Sequence, residues 1–456
     1  MRILYLGINY WPDESGIAPF ATGRCEYLAE CGHEVVACTG LPYYPQWRVA
    51  AAYRRRLLVR EERAGVSIRR SWMYVPRKLT SLRRMVHEGT FVCSSFMSAL
   101  CGPRPDLLLV VSPPLGLAAS AIALGRLWRV PYVLHVTDLQ PDAAVDLGML
   151  AHGRLVRAFY RLEAAAYRHA AMVSTLTEAM RGRIIAKRVP PEKVVLFSDW
   201  VEPALFKIPP PPVRADRGSA GEFVVAHFGN MGVKQGLEIV VEAARLSAAE
   251  KAITYLLVGD GAARANVQAR AGSLGLSNLH FLPFQRRERF FELLTRANVC
   301  LVTQRRTVAD VVFPSKVLTL LAAARPVIAS VGADSEVSRV IAESGAGMTI
   351  APEDPRALAD AVATLRANPL VRERMGRAGR VYARERWERE GVLKSTEQRL
   401  AALVGGAQEA ASGFPAINLR LNEKQPMKKP LFTGTRKFYP ATPATLSRGP
   451  VQTTQK

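Results

Sequence analysis

Short apolar runs alternate with longer amphipathic stretches along most of the chain. In the first half, runs rich in leucine, valine and isoleucine predict strands at residues 2–8, 34–39, 66–70, 107–111, 131–135, 171–174 and 193–197. Helical patterns lie between most of them, for example at 18–31, where Gly32 marks the helix end, and at 153–169. The run that begins at Leu107 is apolar on both faces, as a strand covered on both sides must be. The alternation predicts a parallel sheet between two layers of helices.

The same alternation restarts at residue 222 and predicts a second unit of the same kind. Its strands are expected at 222–228, 252–258, 278–282, 297–303, 326–330 and 347–350. Its helices are expected at 236–248, 262–273, 286–296, 315–324, 335–343, 354–367, 369–384 and 388–404. Doubly wound units bind ligands beyond the carboxyl ends of their strands. The loops that follow strands are therefore the expected functional segments.

The proline-rich segment 208–220 predicts a stiff polar connector between the two units. The predicted organisation is a first domain at 1–207, the linker at 208–220, a second domain at 221–385, a C-terminal helix at 386–411 and a basic tail at 412–456. The tail is rich in proline, threonine, lysine and arginine without apolar periodicity, so it is expected to be disordered.

The chain is strongly basic, with 62 lysines and arginines against 39 acidic residues and a formal net charge of +23. Such an excess indicates an anionic partner, and phosphorylated small molecules, nucleic acid and acidic lipid headgroups are the candidates. No stretch interleaves basic residues with the stacking aromatics of RNA-binding sheets. A specific nucleic-acid partner is therefore not expected.

The sequence predicts a cytoplasmic protein without a bound metal or cofactor. Met1 leads directly into a predicted strand, which does not resemble a signal peptide. The longest apolar run, 107–128, is interrupted by Pro113 and Pro114, which favours a strand followed by a helix over a membrane span. The six cysteines lack metal-binding or paired spacing and are expected to be mostly buried free thiols.

Two loops of the first unit carry candidate residues. The loop at 9–17 contains Gly16 just before a helix, where backbone amides favour an anion, although it is not a GxGxxG motif and also fits an ordinary turn. His135 and Asp138 follow a buried strand, where polar side chains can act on a ligand. The alternative for His135 is a core histidine with its hydrogen bonds satisfied.

The first loop of the second unit predicts a phosphate site. Its candidate residues are Gly229, Asn230, Gly232, Lys234 and Gln235. The glycines allow close approach of the backbone, the following helix supplies amides, and the lysine adds a full charge. A plain glycine-rich turn is the alternative. A weaker signal comes from Gly259 and Asp260 after the next strand, because tight Gly-Asp-Gly turns are common.

A further loop joins Pro314, Ser315, Lys316 and Thr319 at the start of a predicted helix. Ser315 has the character of an N-cap residue. Lys316 would lie in the first helical turn, where a cation opposes the helix dipole. A bound phosphate would offset that charge, which favours a functional role for this lysine.

Together these segments resemble the GT-B-fold glycosyltransferases of family 4 over residues 1–404, and within them the colanic-acid fucosyltransferase group of exopolysaccharide enzymes. The stretches that carry the resemblance are 7–10, 42–47, 74–76, 229–238 and 314–316. The resemblance implies two doubly wound Rossmann-like domains that face each other across a cleft, with the acceptor on the first and the donor on the second. It also implies retaining transfer from a nucleoside-diphosphate sugar, GDP-fucose or a UDP-sugar, to a polyprenyl-linked or oligosaccharide acceptor.

The family motifs also assign roles by position. The resemblance implies that Gly16, Gly232, Lys234 and Lys316 cradle the diphosphate, that His135 and Asp138 lie near the donor sugar, and that Glu336 contacts the donor. Several positions depart from the family pattern: Val311 and Thr319 replace a pair of glutamates, Asn230 and Gln235 replace an arginine and a lysine, and Ala324 replaces a glycine.

The segment 76–100 combines basic and apolar residues and is expected to lie on an anionic membrane. The residues concerned are Arg77, Lys78, Arg83, Arg84, Phe91, Val92, Phe96, Met97 and Leu100. The alternative is a helix packed on its own domain with a solvated basic end. Two other functions stay open at this point: a GT-B-fold sugar-nucleotide epimerase, and a non-catalytic protein that binds anionic surfaces.

Overall fold

The computed structural model describes residues 1–14, 16–78, 80–140, 142, 153–210, 222–307 and 313–412. These residues form two α/β domains, each built on one sheet. The strands of the first sheet are β1 (Arg2–Leu6), β2 (Glu34–Gly40), β3 (Leu58–Arg63), β4 (Val66–Ser71), β5 (Leu107–Ser112), β6 (Tyr132–Val136), β7 (Met172–Thr175) and β8 (Val194–Leu196). The accompanying helices are α1 (Ala18–Glu30), α2 (Ser81–Leu100), α3 (Leu117–Trp128), α4 (Arg154–His169) and α5 (Glu178–Ala186).

The second domain follows the same plan. Its strands are β9 (Phe223–Phe228), β10 (Ile253–Val258), β11 (Leu279–Leu282), β12 (Val299–Thr303), β13 (Val327–Ser330) and β14 (Gly347–Ile350). Its helices are α6 (Glu238–Leu246), α7 (Arg264–Ser273), α8 (Arg287–Arg296), α9 (Lys316–Ala322), α10 (Glu336–Ser344) and α11 (Pro355–Ala367). Two long helices, α12 (Pro369–Trp387) and α13 (Arg389–Ser412), complete the described chain.

Both sheets have the strand order of a doubly wound domain. The first runs β3-β4-β2-β1-β5-β6-β7-β8 and the second β11-β10-β9-β12-β13-β14. Adjacent strands are parallel except for β3, which pairs antiparallel with β4. The predicted pair of doubly wound sheets is confirmed, and every predicted strand is present within a few residues of its expected bounds. The edge strand β3 was missed, because its sequence, Leu-Val-Arg-Glu-Glu-Arg, has the charged composition of an exposed turn.

The chain crosses between the domains twice. Val201, Leu205 and Ile208, which the sequence assigned to the first domain, pack into the core of the second. Leu400 and Val404 of α13 return to the core of the first. The two crossing segments also contact each other, since the backbone N–H of Val201 donates to the Trp387 carbonyl at 2.8 Å. The last residues of the first domain therefore pack on the second domain, and the last described helix after the second domain packs on the first. Residues 211–221, most of the predicted linker, and residues 413–456, nearly all of the predicted tail, lie outside the described residues.

The apolar side of α2 belongs to the core of the first domain. Phe91 is fully buried, and Val92, Phe96 and Leu100 pack against the same core. This packing fits the alternative of a helix that lies on its own domain, and a membrane-facing role of these side chains stays a prediction. Met97 alone of the predicted apolar set is largely exposed.

Two further expectations concern the thiols and the membrane. All six cysteines are free, but Cys31, Cys93 and Cys101 are exposed, so the prediction of mostly buried thiols holds only for the other three. Among the described residues, no helix is both long enough and apolar enough to pass through a bilayer.

Candidate functional site

Lys316, the first residue of α9, provides a half-buried positive charge at the carboxyl edge of the second sheet. Its ammonium lies 3.4 Å from Nε2 of His227 and 3.9 Å from the place that a Cβ would take on Gly229. Burial lowers the pKa of Lys316 to about 8, and no acidic side chain of the described residues opposes that shift. A cation in the first turn of a helix is also disfavoured by the helix dipole. A bound anion would offset both effects.

His227 completes this arrangement and was not predicted. It is fully buried near the end of β9, the central strand that leads into the loop at Gly229. Burial, followed by the neighbouring charge of Lys316, holds its pKa well below the ordinary value, so the ring is neutral. The only signal in the sequence is a histidine within an otherwise apolar central strand.

The glycine-rich loop after β9 gathers two amide side chains around Gly232. A Cβ on Gly232 would lie 2.8 Å from Oε1 of Gln235 and 3.0 Å from Nδ2 of Asn230, so these two amide side chains lie together beside the glycine. Arg305 anchors the loop to the end of β12: its Nε donates to the Val233 carbonyl at 2.7 Å. Neutral amides thus occupy the two positions of the loop where the resemblance implied an arginine and a lysine.

The Gly-Asp-Gly turn after β10 supports this loop directly. A Cβ on Gly259 would collide with the carbonyl of Gly229, and one on Gly261 would collide with the backbone of Met231. The Met231 N–H donates to the carbonyl of Asp260 at 2.8 Å. The weak sequence signal therefore has a packing reason, since only glycine permits two loop backbones to lie this close.

Asp138 of the first domain and Lys234 of the second are close enough for their charges to interact. Asp138 lies just beyond β6, and its Oδ1 is buried without a hydrogen-bond partner among the described residues. Burial raises the pKa of its carboxyl group, while the charges of Arg84 and Lys234 act in the opposite direction. Lys234 is exposed in the loop after β9. The structure therefore places this lysine near the carboxylate of the first domain, whereas Lys316 lies against His227.

His135 lies inside the first domain. Its side chain is 1% exposed, its Nδ1 lies 3.0 Å from Oγ of Ser174 on β7, and its ring is 6.1 Å from that of Phe197. Burial and the charge of Arg24 hold its pKa well below the ordinary value. This position matches the alternative of a core histidine, and an effect on a ligand would have to pass through β6. Its catalytic role stays a prediction.

The loop before α1 contains a second carboxylate, Asp13, at the carboxyl edge of the first sheet, the edge at which Asp138 also lies. Gly16 has a left-handed backbone with φ of 66°, and its Cβ position lies 3.5 Å from the ring of Tyr44. Burial raises the pKa of Asp13 to about 6, against the opposing effect of hydrogen bonds from the Asn9 side chain and the Tyr44 backbone. Asp13 was not predicted as a site residue, since nothing in the local sequence distinguishes it from an aspartate of an ordinary loop.

A cavity of about 490 Å³ lies between the domains near the crossing segments. Ser198 and Asp199 line it from the first domain, and Ser315 and Glu336 line it from the starts of α9 and α10. Glu336 is buried and forms an ion pair with Arg339. Two of the predicted donor-binding residues therefore border this cavity, while Lys316 and Gly229 are outside its lining.

The start of α9 differs from the predicted N-cap. Ser315 occupies the N-cap position but makes no capping hydrogen bond through its side chain. The Pro314 carbonyl accepts from the Val317 N–H at 3.0 Å, and Thr319 is half-buried on the first turn. Ala324, just after the helix, has a φ of 54°, at the position where the resemblance implied a glycine. Val311 lies outside the described residues.

Family models match both domains of this chain. The model described as a glycosyl transferase 4-like domain matches residues 15–200, and the model of glycosyl transferases group 1 matches residues 222–368. A protein of Escherichia coli K12 named as a colanic acid biosynthesis glycosyl transferase, WcaI, is 34% identical over 409 residues, which cover 86% of this chain and 98% of that protein. A Pseudomonas aeruginosa protein named as a glycosyltransferase, WbjE, is 32% identical over 57% of this chain and 64% of its own length.

Solved structures share the fold at low sequence identity. Sucrose-phosphate synthase from Thermosynechococcus elongatus has a TM-score of 0.65 at 19% identity, covering 89% of this chain and 99% of that one. Anabaena HepE in complex with UDP-glucose has a TM-score of 0.60 at 17% identity, covering 88% of this chain and all of that one. The two-domain arrangement is therefore that of the GT-B fold.

Proposed function

The chain belongs to the GT-B glycosyltransferases that combine these two domains, and from this premise we propose that it uses a nucleoside-diphosphate sugar as its donor. It is a glycosyltransferase of polysaccharide biosynthesis. The observation that carries the donor proposal is the buried ammonium of Lys316 above Gly229, without an acidic partner among the described residues. A diphosphate supplies the missing negative charge, and the starts of nearby helices supply backbone amides.

The donor diphosphate would lie between Lys316 and the loop at 229–236. Gly229 and Gly232 leave the backbone open to the phosphates, and the amides of Asn230 and Gln235 can donate hydrogen bonds to them. Cations fixed in place before reaction stabilise the charge that builds on the leaving diphosphate. Gly16 of the first domain would approach the same group as the domains close.

The identity of the donor is proposed from the comparisons. The name of WcaI refers to colanic acid, which favours GDP-fucose in line with the resemblance, and HepE binds UDP-glucose, which makes a UDP-sugar the second candidate. The acceptor proposed is a polyprenyl-linked sugar or a growing oligosaccharide. Retention of the anomeric configuration is proposed from the family resemblance.

Calorimetry with UDP, GDP, ADP and dTDP tests the donor proposal. One of these nucleotides should bind the wild-type chain, and failure of all four would overturn the assignment. The corresponding nucleotide sugar, incubated without an acceptor, should keep its stereochemistry. Conversion to an epimer without release of free nucleotide would show an epimerase instead of a transferase.

Asp138 is proposed to contact the reacting groups, because its Oδ1 is buried without a partner among the described residues and its carboxylate feels the charge of Lys234 from the other domain. His135 is proposed as a positioning residue that acts on Asp138 through β6. Asp138→Asn should lower kcat at least tenfold with little change in nucleotide affinity. The matched control Asp360→Asn, at an exposed site on α11, should leave both unchanged. Equal kcat in wild type and Asp138→Asn would remove this carboxylate from the mechanism.

A membrane-facing surface is proposed at the start of α2 and on the neighbouring hairpin. Leu82 and Val86 lie one helical turn apart and are 68% and 45% exposed, and Arg77, Lys78 and Arg83 beside them are exposed as well. Exposed apolar side chains next to cations suit an anionic bilayer, where each cation near the surface contributes about 1 kcal/mol. This surface would place the active site near a lipid-linked acceptor.

The hairpin adds a second exposed apolar group. Leu57 is 75% exposed and Trp72 is 42% exposed, and the Trp72 N–H donates to the Leu57 carbonyl at 2.8 Å. Co-sedimentation with vesicles of phosphatidylglycerol should retain the wild-type chain and lose it after Leu82→Ser with Val86→Ser. Val381→Ser, at a site on α12 that is 57% exposed, is the control. Equal retention by vesicles of phosphatidylcholine alone would refute the charge-dependent contact.

A further inference from the structure

The central strand β9 contains one polar side chain at the point where the sheet meets the donor loop. His227 is fully buried, and both of its neighbours along the strand, Ala226 and Phe228, are buried apolar residues. A buried polar group costs free energy unless it has a partner. Its Nδ1 has no hydrogen-bond partner among the described residues, and its Nε2 lies 3.4 Å from the ammonium of Lys316. The contact with Lys316 is therefore the polar interaction that explains a histidine here.

The charge states fix the direction of this contact. The ammonium can only donate, and a neutral imidazole has one nitrogen that accepts. Burial and the charge of Lys316 keep the His227 ring neutral, while the backbone carbonyls of Asn230 and Leu301 oppose that shift. For Lys316 burial is the cause of the shift, and no other charged group of the described chain acts on either residue.

We propose that His227 is a positioning residue, whose Nε2 accepts a hydrogen bond from Lys316 and holds its ammonium above Gly229. The proposal rests on the donor site proposed above. A lysine side chain has four rotatable bonds and loses up to about 2 kcal/mol of conformational freedom when it is fixed. A ring anchored in a central strand supplies that constraint before the donor arrives, and it keeps the amine in the direction of the phosphates.

The neutral ring also leaves the charge of Lys316 available. A carboxylate at this position would pair with the ammonium and compete with the incoming diphosphate. An apolar residue would leave the ammonium without an acceptor in a buried site, which favours the uncharged amine. Histidine meets both requirements, because it accepts a hydrogen bond and carries no charge.

His227→Leu and His227→Gln form the test pair, since glutamine keeps an acceptor oxygen and leucine does not. The Kd of the nucleoside diphosphate that the wild type binds is measured between pH 6 and pH 9.5. His227→Leu should move the alkaline limb of this profile down by about one pH unit, and should weaken binding about fivefold at pH 8. His227→Gln should stay within threefold of the wild type at every pH.

A double-mutant cycle separates positioning from packing. In a Lys316→Met background, His227→Leu should not change the Kd further, because the group that it positions is already absent. An unchanged pH profile in His227→Leu, or an equal loss in the presence and absence of Lys316, would overturn the proposal.

A readout without nucleotide keeps this test separate from the donor proposal. The free energy of unfolding of the empty protein rises with pH where Lys316 loses its proton in the folded state, and His227→Leu should shift that rise about one unit lower. If no nucleotide binds but the shift is present, the donor site fails and the His227 contact stands. If nucleotide binds but neither profile moves, the His227 contact fails alone.

Discussion

Replacement of Lys316 by methionine should stabilise the empty protein and weaken its binding of the donor. Folding lowers the pKa of this lysine from 10.5 to about 8, so the folded protein releases the proton more readily than the unfolded chain does. The sign follows from linkage: below pH 8 the buried charge costs stability, and the cost disappears as pH rises from about 8 to 10.5. A shift of this size corresponds to about 3 kcal/mol, and the partly exposed side chain lowers the expected gain to about 2 kcal/mol at pH 7.

Donor binding should raise the pKa of Lys316, whereas folding lowers it. A phosphate beside the ammonium favours its charged form, so nucleotide binding should take up protons at pH 8 to 9 and none at pH 7. Calorimetry in buffers of different ionisation enthalpy measures this uptake directly. The affinity of the wild type should fall by one to two orders of magnitude between pH 7 and pH 10, in proportion to the loss of charge.

Denaturant titration and calorimetry of three proteins check the argument. The wild type, Lys316→Met and the surface control Lys251→Met, at an exposed site before β10, are compared at pH 7 and pH 9.5. Lys316→Met should be more stable than the control at pH 7 and should bind nucleotide without proton uptake. If Lys316→Met is no more stable than the control at pH 7, the charge is not buried at a cost in free energy. If it also binds nucleotide with wild-type affinity, Lys316 has no role in donor binding.

Three other predictions follow from single sites. Ala64→Asn should raise the free energy of unfolding by about 0.5–1 kcal/mol in a urea titration, because Ala64 has a φ of 46° in the exposed β3–β4 turn and asparagine tolerates that conformation better; a decrease would contradict the turn geometry. Leu400→Ala should cost about 2–5 kcal/mol, since Leu400 is fully buried in the first core, while Val381→Ala at an exposed site should cost under about 0.5 kcal/mol; equal effects in thermal unfolding would contradict the crossing of α13. Asp13→Asn should stabilise the protein by up to about 2 kcal/mol at pH 7, because burial raises the pKa of this carboxyl group to about 6. The gain in the free energy of unfolding should shrink as pH falls from 6 towards 4, and a gain that stays constant with pH would show that charge is not the cause.

The fold could be predicted because the apolar periodicity is strong. Runs such as that at Leu107 are apolar on both faces, and only parallel strands covered by helices accommodate them. The edge strand β3 escaped prediction because one of its sides is solvated and its sequence is mostly charged. Local pattern also failed for α2, where Phe91 and Phe96 read as a free apolar stripe until the sheet beneath them was known.

The sequence predicted which loops form the candidate site, but it did not predict which side chains contact each other there. Glycines and lysines after strands marked the regions around Gly229 and Lys316, since backbone approach and charge are visible in the sequence. The contact between Lys316 and His227 joins residues 89 positions apart, and the approach of Lys234 to Asp138 joins two domains. Such contacts depend on how strands and domains meet, which no local pattern records. His135 shows the reverse case, because its place at a strand end did not reveal that Ser174 and Phe197 enclose it.

The double passage of the chain between the domains limits how this enzyme can move and how it can be divided. Two tethers that are bonded to each other, at Val201 and Trp387, permit one lobe to swing about a shared axis but resist free swivelling. Each domain also needs a segment that belongs to the other domain along the chain. Residues 201–208 complete the second core, and Leu400 and Val404 complete the first. A fragment that stops before Leu400 would leave an exposed apolar groove on the first domain. Dividing the chain once between the domains is therefore not expected to give two halves that each fold alone.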